Sequence, residues 1–361
     1  MVRKVFVDTV VTPPAEWGKF FKGLVKDARE GKMKVYSAFD KTTLMTREMV
    51  VEMVVGKTDT VFAQDPLTGK DVQLVRQRDV DYASIKGIAF TEEWTYDPAT
   101  GKTSIQIGAV APRRDIYGDD GVYRGSQSMF WIKWPDLCSY CNHTNGNMLK
   151  SVAQTLWKDY FKDTDVVSKQ AGNATGNMLE GTAIRKTKLH VDTTDYDNCN
   201  LVSNYEVVAP ELLYNAAIEG KIPAYDAQGK VSKPMTKSQL KNLTYSRPDT
   251  IVVSDPITGV ETMRIVHRDF NFDGILKYMV AEKWTMDITK GQTNITYTSV
   301  APAIDSYGAD DGIYKKSIPM FKVSYADARK ILQQYNAYNP TFNIEWQLWE
   351  DRFREPAHKR N

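Results

Sequence analysis

Trp17, Phe20, Phe21, Leu24 and Ala28 recur at helical spacing, and Gly31 follows where such a helix would end. Leu212, Leu213, Ala216 and Ala217 repeat the pattern, with Gly220 in the place of Gly31. A short strand through Val35 or Ala224 is expected next. The period then changes from helical to alternating. The β-branched runs "DTVFA" and "DTIVV" each lead into Asp-Pro-x-Thr-Gly, where Pro presets one turn dihedral and Gly supplies a positive one, so each predicts a hairpin. A second hairpin turns between Asp97 and Gly101. On its return strand Ile105, Ile107 and Ala109 share one face, and Ile295, Tyr297 and Ser299 keep that parity further on. In "MFWIKW" the alternating Phe130, Ile132 and Trp134 predict a buried face, matched by Phe321, Val323 and Tyr325. The opposite face reads Trp131 and Lys133 in one place and Lys322 and Ser324 in the other, and is expected to meet solvent or a partner. A closing helix carries Val152, Leu156 and Trp157, matched by Ile344, Leu348 and Trp349.

These matches are one pattern written twice. Trp94 and Trp284 stand 190 residues apart, and the same offset carries Asp59 onto Asp249, Arg78-Asp79 onto Arg268-Asp269, and Glu92 and Asp97 onto Glu282 and Asp287. The offset drifts from 189 at "EGKMKVY" and "EGKIPAY" to 192 at "LWKDYF" and "LWEDRF", one residue at a time. Shared order with so little drift indicates an internal duplication, and its period is too long for a solenoid. The expected architecture is α+β: two tandem repeated domains, each a mostly antiparallel sheet flanked by helices. The copies are placed at 10–162 and 203–357, with 163–202, polar and rich in Gly and Asn, as a linker or long loop.

Charge narrows the partners. The 361 residues carry 47 Lys and Arg against 45 Asp and Glu, a net +2, which provides no strong field for nucleic acid or anionic lipid. No apolar run approaches the roughly 18 residues of a membrane span. The first residues lack an export signal's apolar stretch, so either the chain is cytosolic or a signal has been removed from this form of it. Three Cys make no disulfide framework.

Three groups of side chains are candidates for chemistry. Glu92 and Glu282 lie two residues before Trp94 and Trp284, so each carboxylate shares a strand face with its indole. This suggests either a structural ion pair with Arg78 or Arg268, or a carboxylate with a raised pKa serving a hydrolase. The loops "DIYGDDGVY" and "DSYGADDGIY" offer Asp115, Asp119, Asp120, Asp305, Asp310 and Asp311 as oxygen ligands for Ca²⁺, although the spacing is not that of an EF-hand and Asp-Gly turns need the same residues. Cys138, Cys141 and His143 make half of a zinc site, a redox CxxC, or thiols packed on a helix. No nucleophile elbow, phosphate loop or dinucleotide fingerprint is present, and the four His are not repeated between copies. For partner binding, Trp131, Lys133 and Lys322 are the candidates, on the strand face where the copies diverge.

The segments "EGKMKVY", "EEWTYD", "IGAVAP" and "SMFWIKWPD", and "EGKIPAY", "EKWTMD", "TSVAP" and "PMFKVSYAD" after them, resemble the GldN/PorN family of gliding motility and type IX secretion. The first copy follows the final motif more closely, since Lys322 stands where Trp131 does. The family usually carries one such unit, and here there are two. The resemblance implies a non-catalytic, periplasmic, outer-membrane-associated protein without a cofactor. It would bind an envelope lipoprotein and join a higher-order ring, its export signal missing from this form of the chain. A periplasmic small-ligand or Ca²⁺-binding module is the alternative, and a hydrolase using Glu92 or Glu282 the third.

Overall fold

The computed structural model describes residues 2–14, 17–55, 59–64, 69–76, 82–118, 120–144, 146–162, 166–188, 209–228, 233–244, 249–254, 256, 261–266, 270–272, 275, 277–308, 312–334, 344, 348–349 and 353. Within them lie sixteen strands and seven α-helices, and most of the pairing is antiparallel. Contacts divide the chain into two compact units. Unit 1 is Met1–Asp163, Ala171–Gly181 and Trp284–Ile295; unit 2 is Thr164–Gln170, Thr182–Lys283 and Thr296–Asn361.

In unit 1, strand β1 (Arg3–Val11) pairs antiparallel with β4 (Ile85–Asp97). Helix α1 (Gly18–Arg29) buries Phe21, Leu24, Val25 and Ala28, the face expected from its spacing, and Gly31 at φ +73° turns the chain out of it. Helix α2 (Arg47–Val55) and the hairpin of β2 (Asp59–Gln64) and β3 (Asp71–Arg76) follow. The long hairpin β4–β5 (β5, Lys102–Tyr117) forms the centre. Its turn is built by Asp97, whose carboxylate accepts from Ala99 N at 3.0 Å and Thr100 Oγ1 at 2.6 Å, ahead of Gly101 at φ +68°. Beyond it come β6 (Tyr123–Ser128), β7 (Ile132–Lys133), α3 (Trp134–Thr144) and α4 (Gly146–Tyr160). Phe130, Ile132 and Trp134 are all buried, as their alternation requires.

The remaining elements are β8 (Val166–Thr175), β9 (Met178–Lys188), α5 (Ala209–Ile218), β10 (Ala224–Asp226), α6 (Lys237–Leu243), β11 (Asp249–Ser254), β12 (Glu261–Val266), β13 (Lys277–Asp287), β14 (Gln292–Tyr307), β15 (Tyr314–Pro319), β16 (Phe321–Ser324) and α7 (Tyr325–Gln333). Unit 2 packs α5, α6 and α7 on a core that includes Leu213, Leu240, Tyr278, Val300, Phe321 and Leu332. Helix α6 opens on a capping box in which Thr236 and Gln239 satisfy each other's backbone N–H.

Two expectations change. The segment 163–202 is not simply a linker or long loop: β8 and β9 occupy most of 166–188, and 163–165 and 189–202 lie outside the described residues. Nor does each copy close its own sheet. Twelve strands form one sheet whose main order is β1-β4-β5-β14-β13-β9-β8. Unit 1 takes the tip of the second copy's hairpin, so β8, β9, β13 and β14 each have one end in either unit.

The physical cause lies inside unit 1, in the pairing of β5 with β14. Ile105 faces Thr293 and Thr103 faces Ile295, so repeat-equivalent residues exchange places about Ser104 and Asn294. Gly291 closes against this join at φ +62°, and a Cβ there would lie 2.6 Å from the Trp134 ring, a space only glycine leaves. Trp134 Nε1 donates to Ile288 O at 3.0 Å in the same turn.

Candidate functional site

The paired glutamates are both buried. Each is only 1% exposed, and neither lines the clefts described below. Glu92 sits at a bulge in the β4–β5 ladder, where the register shifts between Thr91 and Glu92 and Thr91 Oγ1 accepts from Ala109 N at 2.9 Å. Trp94 Nε1 donates to Glu92 Oε2 at 2.8 Å. Burial pushes the Glu92 carboxyl up to about 7 against the opposing pull of Trp94 and of the Thr9 and Tyr160 hydroxyls. Those hydroxyls face the carboxyl, yet Glu92 Oε1 and the Tyr160 hydroxyl lack a formed hydrogen bond. Tyr160 lies between two indoles in unit 1, with ring centroids 6.0 Å from Trp94 and 5.7 Å from Trp284.

Glu282 is held differently. Arg185 of β9 places its Nε 3.3 Å from Glu282 Oε1, with both side chains sealed in unit 2. The expected partners Arg78 and Arg268 lie outside the described residues. Arg185 lies in 163–202, where the polar composition points to a linker or long loop rather than to a strand. The signal was present, since Leu179, Gly181, Ala183 and Arg185 alternate with exposed neighbours, but three of those four residues are not bulky apolar ones.

Asp120 and Asp305 of the acidic loops each meet a cationic side chain. Asp120 accepts from Val122 N at 2.9 Å and from Arg124 Nη2 at 2.6 Å. Asp305 is bonded to Lys277 and accepts from Ser317 Oγ at 2.6 Å. Burial opposes ionisation of Asp305, but the Lys277 ammonium and the Ser317 hydroxyl prevail and hold its carboxyl below the usual range. Asp115 is half-buried, and Asp119, Asp310 and Asp311 lie outside the described residues. Among the described residues no three His, Cys, Asp or Glu side chains converge as metal ligands.

Cys138 and Cys141 are buried, one turn apart on α3. Burial pushes their thiols up to about 11 and about 12. His143 Nδ1 turns back to Ser139 O at 2.6 Å, so its ring faces its own helix. These are the properties of packed thiols, which are poor nucleophiles and poor metal ligands.

Trp131 does not sit on an open face, as expected, but is buried at 3% exposure. Its backbone exchanges two hydrogen bonds with Tyr36, at 2.7 and 2.8 Å, so the segment after α1 lies alongside. The Lys41 ammonium stands 4.8 Å from the Trp131 ring centroid, and Ala89, Ala109 and Ala111 pack with it. Lys133 is exposed and Lys322 half-buried, opposite Tyr225.

The surface kept by both copies lies at the hairpin tips. Tyr117, Val122 and Tyr123 at the β5–β6 turn correspond to Tyr307, Ile313 and Tyr314 at the β14–β15 turn, and all six are between 44% and 60% exposed. Each tyrosine pair meets edge to face, at 5.9 Å and 6.1 Å. Beside each hairpin is an open cleft. One, of about 300 Å³, is lined by Phe39, Lys41, Met53, Arg113 and Gln127; the other, of about 410 Å³, by Asp226, Gln228, Leu243, Ile304 and Ile318. Phe39 and Gln228, Met53 and Leu243, and Gln127 and Ile318 are repeat-equivalent, so this is one place in the unit seen twice, with Lys41 and Arg113 beside Asp8 in one copy and Asp226 and Asp305 among aliphatic side chains in the other. The tips were kept while the clefts diverged.

Among the described residues no helix is long and apolar enough to cross a membrane. A family model described as "Gliding motility associated protein GldN" matches the chain twice, over residues 11–173 and 185–357. No curated protein matches it.

Proposed function

Because the chain belongs to the GldN family of gliding motility associated proteins, we propose that it is a non-catalytic assembly component that holds a protein partner in the cell envelope. Two copies of the family unit, at 10–162 and 203–357, present one kind of surface twice. The partner is an envelope lipoprotein, the compartment is the periplasm beside the outer membrane, and the product is a ring that supports secretion or motility. No cofactor takes part.

The observation that carries this reading is the retention of the exposed aromatic tips. About half of each side chain in the Tyr-Val-Tyr and Tyr-Ile-Tyr clusters stays in water, which limits what it adds to folding; of the four tyrosines Tyr314 is the least exposed, and it also meets Lys186 and Ser317. Both copies keep it even where neighbouring cleft residues have changed. Aromatic side chains exposed in this way are enriched where proteins dock. Two such surfaces on one chain raise the effective concentration of the second contact once the first has formed.

The test is co-purification of the full chain with native envelope, using Tyr117→Ser with Tyr123→Ser, Tyr307→Ser with Tyr314→Ser, and all four together. Each pair weakens capture, the fourfold variant abolishes it, and the melting temperature stays where it was. Full capture by the fourfold variant sinks the reading.

A further inference from the structure

Strand β1 is an end of the large sheet. Among the described residues it pairs with β4 on one side only. Its ladder runs from Arg3 opposite Tyr96 to Val11 opposite Ile88 without a bulge. The strand contains no Pro or Gly and is mostly β-branched. Proteins usually blunt an edge of this length with a bulge, a proline or a covering element. Here Phe6 is 77% exposed and Val10 48% exposed, on the same face as Lys4 and Asp8.

Outward from Phe6 the even-numbered face is self-complementary, with Arg3 set against Thr9 on the other face. Val5 answers Val7, Lys4 answers Asp8, and Val2 answers Val10. An antiparallel strand laid on this edge with its centre opposite Phe6 would therefore meet its own complement. The geometry points to a second copy of this chain as the occupant: two β1 edges pair antiparallel about Phe6 in an isologous dimer. Lys4 then faces Asp8 of the second copy and Asp8 faces its Lys4, with the two Phe6 rings opposite each other between these ion pairs.

The charges already in place continue into that register. Lys4 Nζ lies 2.6 Å from Glu93, and Asp8 lies 2.7 Å from Lys41 Nζ. In the dimer, Glu93, Lys4, Asp8 of the second copy and its Lys41 form a row of alternating sign. A centre one residue away on Val5 or Val7 loses this. Centred on Val7, the pairing sets Phe6 against Asp8 and Lys4 against Val10; centred on Val5, it sets Phe6 against Lys4. Keeping both exposed faces on one side of the extended sheet also requires the centre to fall on a residue rather than between two.

The test uses the full chain and no other protein, so it is independent of partner capture by the tyrosine tips. Sedimentation velocity is run over the roughly micromolar range suited to a small interface. The parent dimerises; Lys4→Asp and Asp8→Lys each weaken the dimer at least tenfold by setting like charges opposite each other; the double exchange, which re-pairs the two chains but sets like charges beside Glu93 and Lys41, recovers part of that loss. Phe6→Cys in a Cys199→Ser background supplies a readout that does not depend on the fold tolerating charge reversal. Under mild oxidation it links two chains through residue 6, whereas Val10→Cys, which faces Val2, does not. A parent that stays monomeric throughout, a double exchange no stronger than the single ones, or equal crosslinking at positions 6 and 10 overturns the proposal.

Discussion

Arg185 Nε lies 3.3 Å from Glu282 Oε1 with both side chains closed off from water, whereas Glu92, the same position of the repeat, is met by an indole and two hydroxyls. One duplicated carboxylate has thus acquired a cation. The other stays in a buried setting that disfavours its charge. The two sites should respond differently to pH and to substitution.

The Glu92 carboxyl is raised from its ordinary 4.5 to about 7. The folded chain therefore binds more protons than the unfolded chain between those values, and this group's effect is to lower stability as pH rises through that window. The loss is complete above the folded value and absent below the unfolded one. Glu92→Gln removes it, raising stability at pH 8 by roughly 3 kcal/mol while changing little at pH 4. Denaturant unfolding of parent and variant at several pH values gives the difference, and a difference that does not grow between pH 4.5 and 8 refutes this account.

Arg185→Met takes the guanidinium away from the buried Glu282 carboxylate. Removing one member of such a pair costs about 3–5 kcal/mol. Adding Glu282→Gln to Arg185→Met should recover most of that loss, because an uncharged amide tolerates burial far better. Unfolding midpoints of the single and double variants measure it. Equal destabilisation in both would mean that the guanidinium acts by filling space rather than by pairing.

Cys138 and Cys141 should resist modification while the chain is folded. With thiols raised to about 11 and about 12, the thiolate is about a thousandth or less of the population at pH 8. In a Cys199→Ser background, a thiol reagent should react only after denaturant is added, and purified protein should carry no zinc. Rapid labelling of native protein would show that α3 opens.

Calcium should leave the chain unaffected. Asp120 is engaged by Arg124 and Asp305 by Lys277 and Ser317, so a cation would have to displace existing donors. Titration calorimetry should give no heat of binding and a chelator no shift in melting temperature. A saturable heat that disappears in Asp120→Asn or Asp305→Asn would reinstate the acidic loops as metal sites.

The elements that were legible in the sequence owe it to local chemistry. Helix α1 declares itself through bulky residues at helical spacing and Gly31, and the β4–β5 turn through Asp97 and Gly101, because each signal lies within a few residues of what it forms. For Trp131, alternation tells which residues share a face but not what covers that face; Tyr36 and Lys41, about ninety residues earlier, cover it. β1 and β9 were missed for another reason. The repeat is recognisable only from residue 10, and 163–202 has the composition of a linker or long loop, yet Thr9 and Arg185 supply the groups that face Glu92 and Glu282. The duplication shows most clearly where side chains match, and these two strands do not match each other.

The ladder between β5 and β14 has a consequence for ancestry. Thr103 faces Ile295 and Ile105 faces Thr293, so the ladder reads alike from either strand. Any two identical hairpins carrying those residues could zip together in this way as separate molecules. Fusing them into one polypeptide requires no adhesive seam that free ancestors lacked, and it makes permanent a union that dilution could once have undone.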